Sequence, residues 1–225
     1  MKGEKGDGAK RDGAKRNGGK RNAVQTREKI LQAAIGEFAA HGYSGARVER
    51  IRARARVNTR MLYHYFGDKR RLYVAVLEHV IGDLRHAELQ LEVDNVNPLD
   101  GMLQLYEFMD SHFADHPELI HLLSGENLLR GKFLRSSSKT PIITSPLLDL
   151  IETLLRRGER EGLLRAGIDP LHLYVVMVAL SYFHRSNAHT LSTLFRTDLL
   201  APAWQAQHKE IVTDVLSRFL KAQVD

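Results

Sequence analysis

The sequence predicts an all-α chain of about nine helices: a three-helix, helix-turn-helix unit followed by a larger helical body. Three observations carry that prediction. Residues 48–72, VERIRARARVNTRMLYHYFGDKRRL, read as two short helices joined by a tight turn. Apolar residues recur at helical spacing along most of the remaining chain. Helix punctuation is placed to match, with Asn58, Pro98, Pro117 and Asp169-Pro170 each at the start of a periodic stretch.

The basic excess lies at one end. Residues 1–25 hold 8 Lys/Arg and 3 Asp/Glu, residues 26–72 hold 11 and 4, and residues 73–225 hold 14 and 20. The overall charge of +6 is therefore a strongly positive first third attached to an acidic body, the footprint of a polyanion-binding head. Cysteine is absent, which excludes a disulfide framework and thiolate chemistry and suits a reducing cytoplasm. No apolar run is long enough to span a membrane, and the glycine-rich polar start is unlike a secretory signal, so no membrane partner is expected.

The organisation expected is a disordered basic tail over 1–25, a helix-turn-helix unit over 26–72, and a body over 73–225. In the tail GAKR, GAKR and GGKR repeat every five residues with almost no apolar content, too little to offset ordering entropy. Such an arm either lies along phosphates or enters a minor groove, or simply solubilises the chain.

The first helix is expected over 26–41, with Thr26 at its N-cap and Gly42 as its stop. Ile30, Ala34 and Phe38 share one face, flanked by Leu31 and Ile35. The second helix covers 48–55 and the third 59–66, capped by Asn58. Ile51, Ala55, Val57, Leu62 and Tyr65 can close a small core, leaving Arg50, Arg54, Arg60, His64 and Lys69 outside. An Asn cap leaves the first amides of the third helix facing solvent or a phosphate.

The residues ILQAAIGEFAAHGY, VERI, the 55–57 turn and LYHYFGDK leading into LYVAVLEHV make segment 26–77 closely resemble the N-terminal domain of the TetR family of transcriptional regulators. The resemblance implies a homodimeric, ligand-responsive regulator, most often a repressor, that binds double-stranded DNA at a palindromic operator and is released by a small-molecule effector. It implies that Thr59, Arg60 and Met61 meet base edges, and that Tyr63, His64 and Lys69 meet phosphates while Tyr65 belongs to the small core. Arg47, ahead of the second helix, is placed to reach a phosphate. Arg60 bidentate to guanine would be worth about 1–3 kcal/mol of discrimination.

The segment departs from the family pattern at three places. Arg52 stands where a small residue is usual, Arg56 where the turn usually carries glycine, and Ala46-Arg47 where a hydroxyl residue is common. Arg52 must turn outward or splay the helices, and Arg56 in a left-handed turn costs about 1 kcal/mol. Both add positive charge near the duplex, so DNA binding should depend strongly on salt.

The body begins with a long amphipathic helix over 73–92 that links it to the head. Helices restart at Pro98 and Pro117, a loop is expected over 131–146, and a further helix over 146–161. From Leu173 to Phe183 the residues LYVVMVALSYF are apolar on nearly every face, so that helix should be buried on all sides. A last helix over 203–222 carries Trp204, Ile211, Val212, Val215, Leu216 and Phe219 on one stripe. The two helices together read as a four-helix dimer seam, with Val176, Leu180, Ile211, Val215 and Phe219 at the interface.

Polar groups interrupt the apolar helices. The resemblance implies a cavity for an effector, and Phe108, His112, Glu126, Asn127, Arg130 and Tyr182 are its candidate residues. Catalytic signals are weak. His112 and His116 stand four apart, but Pro117 follows at once and no glutamate lies between them, so no zinc-helix motif forms. No catalytic residue, metal or cofactor is expected. Two other readings remain open: a helical small-molecule-binding protein or enzyme with incidental nucleic-acid binding, and a DNA-coating protein dominated by its basic arm.

Overall fold

The computed structural model describes residues 8–93 and 95–222, all helices and connections. They form two compact units, Met1–Val76 and Leu77–Asp225. The helices are α1 (Gly8–Gly45), α2 (Val48–Ala55), α3 (Thr59–Phe66), α4 (Lys69–Glu88), α5 (Pro98–Asp115), α6 (Pro117–Leu128), α7 (Thr140–Arg160), α8 (Pro170–Ser186), α9 (Ala188–Phe195) and α10 (Pro202–Leu220).

In the first unit α1 starts at Gly8, well before the expected Thr26. Residues 8–25 are therefore helical where a disordered tail was expected, and residues 1–7 lie outside the described residues. Thr26 is not a cap: its hydroxyl donates to the Asn22 carbonyl one turn back, at 2.8 Å. Extending an existing helix costs far less than nucleating one, and the Ala, Lys and Arg of the repeat are good helix formers. Gly42 interrupts α1 at φ 63, a conformation that favours glycine, so the stop falls where expected.

The buried stripe of α1 is Ile30, Leu31, Ala34, Ile35 and Phe38. It meets Ile51 and Ala55 of α2, Leu62 and Phe66 of α3, and Leu72 and Tyr73 of α4 in one small core. Tyr73 closes it with an edge-on contact to Phe38, ring centres 4.8 Å apart. Val57 and Tyr65 sit half-buried at its margin.

In the second unit the core runs through α5, α7, α8 and α10, with Met102, Leu105, Tyr106, Ile151, Leu155, Met177 and Leu216 among its buried members. Three boundaries differ from expectation. The linking helix is Lys69–Glu88 rather than 73–92, because Asp68 caps it by accepting the Arg71 N–H at 2.7 Å. The expected loop at 131–146 is cut short: a 3-10 turn spans Leu134–Ser136 and α7 already begins at Thr140. Pro141 fits the first turn, where no amide partner is needed, and the helix runs on through Pro146. Residues 188–195, not expected as helix, form the short α9. Asp169 caps α8 as expected, accepting the His172 N–H at 2.8 Å.

The apolar helix α8 is not buried on all sides within one chain. Leu173, Met177 and Ser181 face the core, whereas Val175 and Phe183 are more than half exposed. The α10 stripe likewise divides: Val212, Leu216 and Leu220 turn inward, and Ile211, Val215 and Phe219 turn outward.

Candidate nucleic-acid interface

One acid ties the start of α2 to α1. Glu37, on the middle of α1 and only 7% exposed, accepts the Arg47 backbone N–H at 2.9 Å and the Arg50 Nε–H at 2.7 Å. Burial pushes its carboxyl upward. The Arg50 hydrogen bond, the Arg47 amide and the charges of Arg50 and His41 outweigh that and hold it below the usual carboxylate range. Arg50 also donates to the Gly45 carbonyl at 3.0 Å. It is thus a strut between α1 and α2, not the free cation that the sequence suggested.

Arg54 is exposed, and its guanidinium end lies over Gly36 of α1, 2.7 Å from where a Cβ would stand, a contact that the flexible side chain can give up. The α2–α3 turn pivots on Arg56 at φ 56, ψ 43, whose N–H reaches the Ala53 carbonyl. The expected left-handed arginine is therefore present, and Arg52 is exposed, turned outward.

Helix α3 starts on Asn58, whose side-chain oxygen accepts the Met61 N–H at 2.8 Å. Leu62 and Phe66 anchor its inner face, and Thr59, Arg60, Met61, Tyr63 and His64 lie exposed along the outer one. Met61 and Tyr63, at 39% and 43% exposure, are large side chains left in water, as a surface awaiting a partner would leave them. Arg47 is exposed at the start of α2. Lys69 is partly covered, its ammonium 4.9 Å from the Tyr43 ring centre and 3.5 Å from the Ser44 carbonyl. An exposed helix two turns long, capped by Asn and flanked by arginines, is suited to groove insertion with phosphate contacts at its margins.

The candidate effector residues of the second unit each have their own partners. The Phe108 and His112 rings lie tilted against each other, centres 5.6 Å apart, and burial followed by the charge of His116 lowers the His112 pKa. Tyr182 packs edge-on against Phe113 and shares a 2.6 Å hydrogen bond with Ser124. Glu126 is buried, and one oxygen accepts the Phe133 and Leu134 N–H groups at 2.6 and 3.0 Å. It braces the 3-10 turn, while Asn127 and Arg130 are exposed and do not join it. The three do not converge because α6 ends at Leu128 and Arg130 lies in the left-handed region beyond it.

Two polar clusters are assembled only by the fold. Arg85 and Glu88, both buried near the end of α4, form an ion pair, and Arg85 also donates to the Tyr174 hydroxyl of α8. Burial raises the Glu88 pKa against the pull of Arg85. Their i, i+3 spacing was visible, but not the burial that makes the pair matter. The second cluster joins α8 to α10: His184 lies 4.2 Å from the His208 ring and 3.1 Å from the Gln205 side-chain oxygen. Among the described residues, no group of three or more His, Asp or Glu side chains is placed to hold a metal ion.

Comparison with known proteins adds independent findings. Residues 30–76 match the family model described as bacterial regulatory proteins, tetR family, and residues 98–216 match the model described as tetracyclin repressor-like, C-terminal domain. The chain is 33% identical over 199 residues to the HTH-type transcriptional repressor NicS of Pseudomonas putida, covering 88% of this chain and 94% of that one. It is 32% identical over 158 residues to the HTH-type transcriptional regulator RutR of Escherichia coli K12, covering 70% and 73%. A Streptomyces coelicolor transcriptional-regulator structure, SCO4942, superposes with a TM-score of 0.63 at 24% identity, over 88% of this chain and 99% of that one, which supports the fold.

Proposed function

The chain belongs to the TetR family of bacterial regulators, and from that premise we propose that it is a repressor that sits on a palindromic operator as a homodimer and leaves it when a small molecule binds the helical body. Members of the family bind DNA operators, act as dimers and respond to ligand effectors, and the chain is a DNA-binding regulator rather than an enzyme. The observation that carries the reading is the outer face of α3, where Thr59, Arg60, Met61, Tyr63 and His64 stand exposed on a helix capped by Asn58.

In this reading Thr59, Arg60 and Met61 meet base edges, and Arg47, Tyr63, His64 and Lys69 meet phosphates. Asn58 keeps the first turn of α3 ordered so that its remaining N–H groups face the backbone. Two heads in one dimer read two half-sites about one helical turn apart. The effector acts on the second unit, with Phe108, His112 and Tyr182 as the first residues to test, and its effect reaches the head along α4. It shifts the equilibrium only by its difference in affinity for the operator-bound and released states. No described helix is long and apolar enough to cross a membrane, and in this reading the protein works where genomic DNA lies, in the cytoplasm.

Selection of genomic fragments on the purified protein tests the proposal. The expected result is an enriched palindromic motif, retained when residues 1–25 are deleted. Bound DNA with no enriched motif overturns it in favour of sequence-tolerant coating. Screening metabolites for a rise in melting temperature then identifies the effector, which must weaken operator binding.

A further inference from the structure

We propose that α9 is a dimer arm: Leu194 and Phe195 dock on a second copy of this chain and complete the interface that the outward faces of α8 and α10 begin. The inference rests on the homodimer reading above and assigns it a surface outside the two seam helices.

The first argument is area. Val175, Val176, Ile211, Val215 and Phe219 are 41–55% exposed. At roughly 150–220 Å² of full surface per residue they offer on the order of 400 Å², about half of the ~800 Å² that each partner buries in a standard interface. Leu194 and Phe195 are 69% and 70% exposed, and Phe183 on α8 and Leu200 ahead of α10 are 57% and 48% exposed. Together these four add about as much apolar surface again, which brings the total to the size of a stable interface.

The second argument is continuity. Asn187 ends α8 and begins α9, and five residues after Phe195 α10 is about to start, so the arm is joined at both ends to the seam helices. The third is rigidity. The Gln205 side-chain amide donates to the Leu199 carbonyl while its oxygen faces His184 at 3.1 Å. The Leu199 N–H donates to the Ser192 hydroxyl at 3.0 Å, and Ala188 and Leu199 are buried. Arg196 closes α9 in the left-handed conformation, its N–H on the Ser192 carbonyl. A connector held this firmly, with its largest apolar side chains turned to water, is preorganised for a partner that covers them.

Sedimentation equilibrium on the full chain tests the arm, comparing wild type with L194S/F195S and with I211S on the seam. The substituted arm residues are exposed in one chain, so its helix content should be unchanged by circular dichroism. The expected result is a rise of about 100-fold or more in the monomer–dimer dissociation constant for L194S/F195S. A wild-type dimer whose constant changes less than about 3-fold in L194S/F195S but rises in I211S overturns the arm and leaves the dimer standing. A wild type that stays monomeric at every concentration overturns the dimer reading and the arm with it. The chain has no cysteine, so a single spin label on F195C gives a second readout: it should be immobilised at dimer-forming concentrations, and a freely mobile label there overturns the proposal.

Discussion

The Glu37 carboxylate and the Arg50 guanidinium meet at 2.6 Å between α1 and α2, with the Arg47 N–H on the same oxygen at 2.9 Å. The pair orients α2, and through it the turn that presents α3. Replacing Glu37 with alanine leaves the Arg47 amide without its acceptor, and the head should lose about 1–3 kcal/mol of stability, measured by denaturant unfolding. The Glu37 pKa is lowered in the fold, so its contribution is complete above the unfolded carboxylate value and is lost as pH falls through the folded one. Wild type should therefore show an acid-dependent loss that E37Q lacks. Identical acid limbs would refute the role.

Asn58→Ala removes the oxygen that accepts the Met61 N–H. The expected loss is about 1 kcal/mol, with N58S or N58D retaining most of it. Operator affinity should fall alongside the melting temperature; a normal melt with abolished binding would instead make Asn58 a direct DNA contact.

Arg56 and Arg60 should separate geometry from recognition. Arg56→Gly relieves the left-handed strain at φ 56 and should stabilise the head by up to about 1 kcal/mol while reducing the salt slope of DNA binding by about one. Arg60→Ala should cost about 1–3 kcal/mol of discrimination at one base pair of each half-site. Binding isotherms at several salt concentrations on operator and scrambled duplexes distinguish the two. A uniform loss across sequences for R60A would assign Arg60 to the phosphates.

His184 links α8 to α10 while its pKa is lowered by burial and then by the charge of His208, against the hydrogen bond it donates to the Gln205 oxygen. The other charged groups acting on it are Arg185 on α8 and Asp110 on α5. The folded state holds the proton less tightly than the unfolded chain, so stability is full above the unfolded histidine value and declines as pH falls toward the folded one. Thermal melts from pH 8 to pH 5 should show a decline that is shallower in H184Q. Equal slopes in the two proteins would show that another group carries the acid response.

How much of this was legible in the sequence differs between the two units. The helix-turn-helix was readable almost residue by residue because its information is local. Asn58 at a cap, Gly42 at a stop, and Leu62 and Phe66 four apart each act within one or two turns. The left-handed turn at Arg56 was legible only through the family resemblance, whose pattern carries glycine at that place. The start of α1 at Gly8 is not legible in composition, which measures intrinsic propensity and not the ease of extending a helix already formed.

By itself, then, the sequence determined the all-α class, the boundaries of α2 and α3, the outward set on α3, and the division of charge between a basic head and an acidic body. Tertiary structure alone decided which polar groups were free to act. Glu37 and Arg50 lie 13 residues apart, Arg85 and Tyr174 89 apart, and His184 and Gln205 21 apart. No helical period connects such positions. They meet only because packing brings distant turns together, and burial then turns an ordinary surface charge into a strut. The same packing split the α10 stripe into an inner and an outer face, since a helix pattern records which residues are apolar but not which neighbour will cover them.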